Sequence, residues 1–166
     1  MITKFSMALV TGAALFLAAC EKEAKPAAET STNTTTTTAA AVDTSTVSYF
    51  QQQVGDRVFF ATNSSSVTAL GRQTLDRQAA WLNENAGVSA VIEGHADERG
   101  TREYNLALGA RRAEASRAYL VSRGVAASRL STISYGKERP TATCSSENCW
   151  AQNRRGVTVL SGAPTS

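Results

Sequence analysis

Between residues 88 and 120 the chain changes its hydrophobic rhythm twice. Val88, Ala90, Ile92 and Gly94 alternate with Ser89, Val91, Glu93 and His95, the period of a strand buried on one side. The polar run from His95 to Gly100 cannot continue that strand, and Gly100 followed by Thr101 supplies a turn and an N-cap. A helix is therefore predicted to begin near residue 101 or 102. It is rich in Ala, Leu, Arg and Glu, all good helix formers, and meets its first break at Gly124-Val125. Leu108, Arg112, Ala115 and Tyr119 follow at spacings of one helical face, which predicts them as its inward stripe.

The same reading places the other elements. Residues 47–54 form a short amphipathic piece, Gly55-Asp56 is a turn, and 57–61 is the first strand. Thr62, Asn63 and three serines make a loop with several N-cap candidates, followed by a helix to about residue 85 whose stripe is Val67, Leu70, Leu75, Ala79 and Leu82. After the long helix, 122–129 is a connector, 130–135 a third strand and 155–161 the last. The order strand, helix, strand, helix, strand, strand predicts an α/β sandwich. Its helices cover one face of a mixed sheet, and its last two strands form a hairpin-like pair.

The first 46 residues follow other rules. One cation, Lys4, precedes an apolar run from Phe5 to Ala19 that ends in Leu17-Ala18-Ala19-Cys20, the layout of a secretory signal and too short for a comfortable transmembrane span. The stretch from Glu21 to Thr46 is dominated by Ala, Thr, Glu and Lys and cannot bury enough surface to order itself. As a coil of about 26 residues it reaches on the order of 25 to 30 Å. This divides the chain into a signal (1–19), a tether (20–46), a folded domain (47–161) and a tail (162–166). The net charge of +3, with no basic block, gives no argument for nucleic acid.

An arginine in the middle of a helix's inward stripe needs an acceptor. Asp97, just beyond the preceding strand, is near enough along the strand-turn-helix unit to serve Arg112, or to stand beside it at a shared ligand. The two groups make either an internal ion pair or a site for a zwitterion, with a carboxylate on the Arg112 fork and an ammonium on Asp97.

The run GHADERGTREYNLALGARRA, followed by TISYGKERP and NRRGVTVL, closely resembles the peptidoglycan-associated lipoprotein branch of the OmpA-like C-terminal domain family, over about residues 55 to 161. The resemblance implies that Asp97 and Arg112 grip the diaminopimelate of the peptidoglycan stem peptide. It implies also that Asn105 and Leu108 line the same pocket and that Asn63 helps to close it, with Arg111 outside the grip. Thr62 departs from the family's usual second aromatic. LAAC resembles a bacterial lipobox, so Cys20 is expected to be acylated and to anchor the chain in outer-membrane lipid, Glu21 being compatible with outer-membrane sorting. The implied function is a non-enzymatic tether between outer membrane and cell wall, with the domain in the periplasm. The implied partners are peptidoglycan and the periplasmic propeller protein of the Tol system, in envelope integrity and cell division. The competing class is a protein-interaction module that keeps the fold without binding peptidoglycan. Asp97→Ala and Arg112→Ala are each expected to abolish binding to sacculi in a domain that remains folded.

Two features remain. In an exported chain Cys144 and Cys149 are expected to form a disulfide, worth about 2 kcal/mol by loop-closure entropy. Its loop lies far from Asp97 along the chain, so its loss is expected to weaken the domain without abolishing binding. Zinc is not indicated, because the C-x4-C spacing lacks a second ligand pair. His95, the single histidine, is expected on the solvent side of its strand. No hydrolytic constellation, glycine-rich phosphate loop or cofactor motif accompanies it.

Overall fold

The computed structural model describes residues 43–165; the signal, Cys20 and most of the tether lie outside the described residues. A short helix, α1 (Val47–Tyr49), is capped by the Thr46 hydroxyl, which accepts from the Tyr49 N–H, and widens into a π-helical turn, Phe50–Gly55. The remaining elements are β1 (Arg57–Phe59), α2 (Ala69–Glu84), β2 (Ser89–His95), α3 (Arg102–Ser122), a 3-10 turn (Ala127–Arg129), β3 (Leu130–Gly136), α4 (Glu147–Asn153) and β4 (Arg155–Ser161). Thr68 and Thr101 cap the two long helices, their hydroxyls accepting from the N–H groups of Gly71 and Tyr104, the role expected of threonine at a helix start.

The mixed sheet has the strand order β1-β4-β2-β3. β2 runs parallel to β3, with Ala90 opposite Leu130, and antiparallel to β4, with Gly94 opposite Gly156. β4 also pairs antiparallel with β1. The hairpin-like pairing of the last two strands is therefore wrong: β3 and β4 flank β2 on opposite sides. To reach the far side of β2, the chain leaving β3 must cross the end of β2. That crossing carries α4, an element the sequence reading does not contain, past the turn that follows β2.

Helices α2 and α3 pack on the sheet face that presents Val58, Ala90, Ile92 and Gly94, and the core gathers there around Phe50, Leu75, Leu82, Ile92 and Leu120. Two stripes need correction. Leu70 is 69% exposed; it lies nine residues before Ala79, which puts it about 180° around the helix. The buried α2 face instead includes Thr74, Gln78 and Trp81. In α3 the buried face is Asn105, Leu108, Gly109, Arg112, Ala113, Ser116 and Leu120, with Ala115 and Tyr119 half-buried on its flank.

The axis of α3 lies close to the sheet because two glycines face each other. A Cβ on Gly94 would lie 1.8 Å from the Gly109 carbonyl oxygen, and one on Gly109 would lie 2.4 Å from Ser134 Oγ. Gly94→Ala is expected to push α3 off the sheet and to lower stability by about 2 to 3 kcal/mol, the scale of core overpacking. Urea denaturation checks this, and a midpoint equal to wild type would show that the helix yields freely.

Candidate functional site

The end of β2, the turn after it and the start of α3 meet the loop that follows β1 around a cavity of about 350 Å³. Its walls are Thr62 and Asn63 from the loop, Asp97, Arg99 and Gly100 from the turn, and Tyr104, Asn105 and Leu108 from α3. Four of the five residues implied for the pocket, Asn63, Asp97, Asn105 and Leu108, are thus brought together.

Each wall has a local cause. Asn63 adopts a left-handed conformation (φ 54°), which asparagine tolerates better than most residues; its side-chain oxygen accepts from the Tyr104 hydroxyl. Asn105, 1% exposed, donates to the carbonyls of Arg99 (2.8 Å) and Thr101 (3.1 Å), and so ties the turn to the helix that follows it. Lys137, just past β3, donates to the carbonyls of Glu98 and Gly100 from the other side.

Asp97 is buried and takes its partners from residues that the resemblance does not name for the pocket. Its carboxylate accepts from the Arg99 backbone N–H (3.1 Å), from Arg99 Nε (3.1 Å) and Nη2 (2.8 Å), and from Arg154 Nη1 (3.3 Å). Burial pushes its pKa up, but the hydrogen bonds from Arg99 and Arg154 outweigh that and hold it below the usual carboxylate range. The carboxylate is therefore ionised at neutral pH.

Arg112 does not line the cavity. It is fully buried, and its donors go to three backbone carbonyls: Nε to Ser64 (2.8 Å), Nη1 to His95 (2.8 Å) and Nη2 to Ala61 (3.1 Å), with the guanidinium 5.3 Å from the Phe60 ring centroid. The internal Asp97–Arg112 ion pair is therefore not formed. The residue fastens the loop after β1 to the end of β2 from beneath the pocket. Burial, and then the nearby Arg154 charge, lower its pKa to about 10, so it stays cationic at neutral pH. Arg111, the next residue, is exposed, as its position on the helix requires.

The cation at the cavity wall is Arg99, whose side chain is 40% exposed. Its place two residues after Asp97 was a sequence signal, since an Asp side chain commonly accepts from the backbone two residues on. The roles of Arg154 and Trp150 had no such signal, because they reach the turn only through the crossing that carries α4.

His95 corrects another expectation. It is 1% exposed rather than solvent-facing, with its ring 5.6 Å from that of Tyr135, and neither ring nitrogen has a hydrogen-bond partner among the described residues. Glu93 Oε2 lies 3.4 Å from Nε2. Burial, and then the positive charges of Arg155 and Arg139, lower its pKa from 6.5 to about 4. A base depressed in the folded state stabilises it fully above pH 6.5, and that stability is lost as pH falls toward 4. The expected loss across this window is about 3 kcal/mol. Denaturation midpoints at pH 7.0 and 4.5 should differ accordingly, and His95→Phe should flatten the slope. An NMR titration midpoint near 6.5 for this single histidine would contradict the burial argument.

Among the described residues no group of three or more His, Cys, Asp or Glu is placed to hold a metal, and no helix is long and apolar enough to cross a membrane.

Residues 59–154 match the model of the OmpA family. The chain is 66% identical over 114 residues to the peptidoglycan-associated lipoprotein of Mesorhizobium japonicum, covering 69% of this chain and 68% of that protein. It is 38% identical over 149 residues to the peptidoglycan-associated lipoprotein of Haemophilus influenzae, covering 90% of this chain and 93% of that protein. Its fold is similar to the crystal structure of the peptidoglycan-associated lipoprotein from Burkholderia pseudomallei, with a TM-score of 0.64 at 39% identity over 67% of this chain and 96% of that one.

Proposed function

Because this chain belongs to the OmpA family, in its peptidoglycan-associated lipoprotein branch, we propose that it binds peptidoglycan noncovalently through the diaminopimelate of the stem peptide and ties the outer membrane to the cell wall. The family is one of structural proteins, not of enzymes. The observation that carries the proposal is the single cavity in which Asn63 and Thr62, from one stretch of chain, face Asp97, Asn105 and Leu108 from another.

The chemistry fits a zwitterionic amino-acid head. Its ammonium meets the ionised Asp97, and its carboxylate meets the Arg99 guanidinium at the rim, while Leu108 packs against the methylene chain. Arg112 serves the grip from below. A guanidinium has five N–H groups; three hold the pocket's walls, and its charge offsets that of a bound carboxylate. The decisive experiment is sedimentation of the full chain, in detergent, with purified sacculi. Recovery in the pellet supports the reading, and a chain that stays in the supernatant at micromolar sacculus-peptide concentration removes it.

The anchor is part of the same proposal. Cys20 carries the acyl chains, and several chains on one residue hold far more firmly than a single myristoyl group. The tether then lets the periplasmic domain search for the wall, and the Tol-system propeller protein engages the same domain during envelope constriction. Mass spectrometry of the mature protein from envelopes is expected to find an acylated Cys20 at its N-terminus. A free Cys20 thiol, or cleavage elsewhere, would remove the anchor.

A further inference from the structure

The disulfide loop, remote from Asp97 along the chain, and the stretch that follows it to Arg154 meet the turn from Asp97 to Arg99. Cys144 and Cys149 are joined, with their Cα atoms 5.6 Å apart. Glu147, inside the closed loop, pairs with the buried Arg154, which in turn donates to Asp97. Trp150, next to Cys149, donates its indole N–H to Glu98 Oε1 (3.0 Å). Hydrogen bonds from Trp150 and Ser145 hold the Glu98 carboxyl below the usual range. The Trp150 ring also carries the Arg99 guanidinium, whose Cζ lies 4.2 Å from the ring centroid. The far end of α4 is pinned as well: Asn153 accepts from the N–H groups of Thr141 and Ala142 and donates to the Ala142 carbonyl.

A partly exposed arginine normally samples many rotamers, and ordering it costs entropy that a ligand must supply. Here the cost is met in advance. Asp97 holds the guanidinium along one edge and Trp150 supports its face, so Arg99 keeps one orientation at the cavity wall. The disulfide fixes the support, because it closes the loop immediately before Trp150.

Resting on the cell-wall reading above, we infer that Trp150, locked in place by the Cys144–Cys149 disulfide, is a positioning residue that aims Arg99 into the cavity and so sets a preference for ligands with a free carboxylate. The test measures binding of the full chain to two probes: a purified muropeptide with a free diaminopimelate side-chain carboxylate, and the same muropeptide with that carboxylate amidated. Wild type is expected to prefer the free acid by about tenfold, the scale of one charge-assisted hydrogen bond. Trp150→Leu should lower that preference to about threefold, close to the value for Arg99→Leu, and Trp150→Phe, which keeps the ring face, should restore most of it. Cys144→Ser with Cys149→Ser should give an intermediate preference. General loss of stability would weaken both probes alike and leave the ratio unchanged. A folded Trp150→Leu chain with the wild-type ratio overturns the inference alone, as does a wild type that binds both probes equally. A wild type that binds neither probe overturns the cell-wall reading and this inference together.

Discussion

Replacing Arg112 with alanine is expected to lower the stability of the domain by about 4 to 6 kcal/mol, enough to leave much of it unfolded at physiological temperature. The side chain is fully buried, and its three hydrogen bonds end on the carbonyls of Ala61, Ser64 and His95. Alanine removes the side-chain donor from the Ser64 and His95 carbonyls, leaves the Ala61 carbonyl with only the Ser64 N–H, and opens a void above Phe60. A carbonyl that loses its donor in a dry site costs about 1 to 3 kcal/mol, so the sum exceeds the usual effect of a point mutation. Arg112→Lys should recover only part of the loss, because an ammonium cannot serve three acceptors spread along the guanidinium fork. Arg111→Ala, on the exposed side, should change stability by less than about 0.5 kcal/mol. Urea denaturation of the three variants decides the matter, and an Arg112→Ala midpoint within experimental error of wild type would mean that water reaches those carbonyls. This replaces the simpler expectation that Arg112→Ala removes binding from an intact domain: loss of binding and loss of fold should coincide there.

Asp97→Ala should separate the two. Its loss leaves Arg154 with the Phe60 carbonyl and Glu147 as acceptors, and Arg99 still rests on Trp150, so the domain should stay folded with a modest drop in melting temperature. The proposed ligand's ammonium, by contrast, loses the one carboxylate in the cavity wall and is left facing the Arg99 guanidinium. An unpaired charge in such a place costs about 2 to 5 kcal/mol, or 30-fold or more in affinity for sacculi. Asp97→Asn should behave similarly, since it keeps the shape and removes the charge. The hydrogen bonds that hold the Asp97 pKa below the usual range also set the pH dependence. Binding should persist through mild acid and be lost only as pH falls through that depressed value. Wild-type affinity in a folded Asp97→Ala chain would contradict the site.

The chain's local chemistry was sufficient for the elements that repeat a period or carry a cap. Thr101 ahead of α3, the alternation of β2 and the final strand at 155–161 follow from hydrophobic rhythm and from which side chains can satisfy open backbone groups. The cluster of Asn63, Asp97, Asn105 and Leu108 was likewise legible, because a family motif preserves the order of side chains even when their geometry is hidden. Strand order was not. Pairing β4 between β1 and β2 depends on contacts across more than 60 residues of chain, and nothing in the local rhythm of β3 and β4 distinguishes that arrangement from a hairpin. Everything carried by the crossing shared that fate: α4, Trp150 against Arg99, Glu147 and Arg154 behind Asp97. The partners of Arg112 were hidden for a similar reason, since they lie far from it along the chain. Periodicity placed Arg112 on the inward face, but whether an inward arginine meets a carboxylate or a set of carbonyls depends on which loop is folded over it. Here the loop after β1 presents two carbonyls and the end of β2 a third, and the cation at the cavity wall is Arg99.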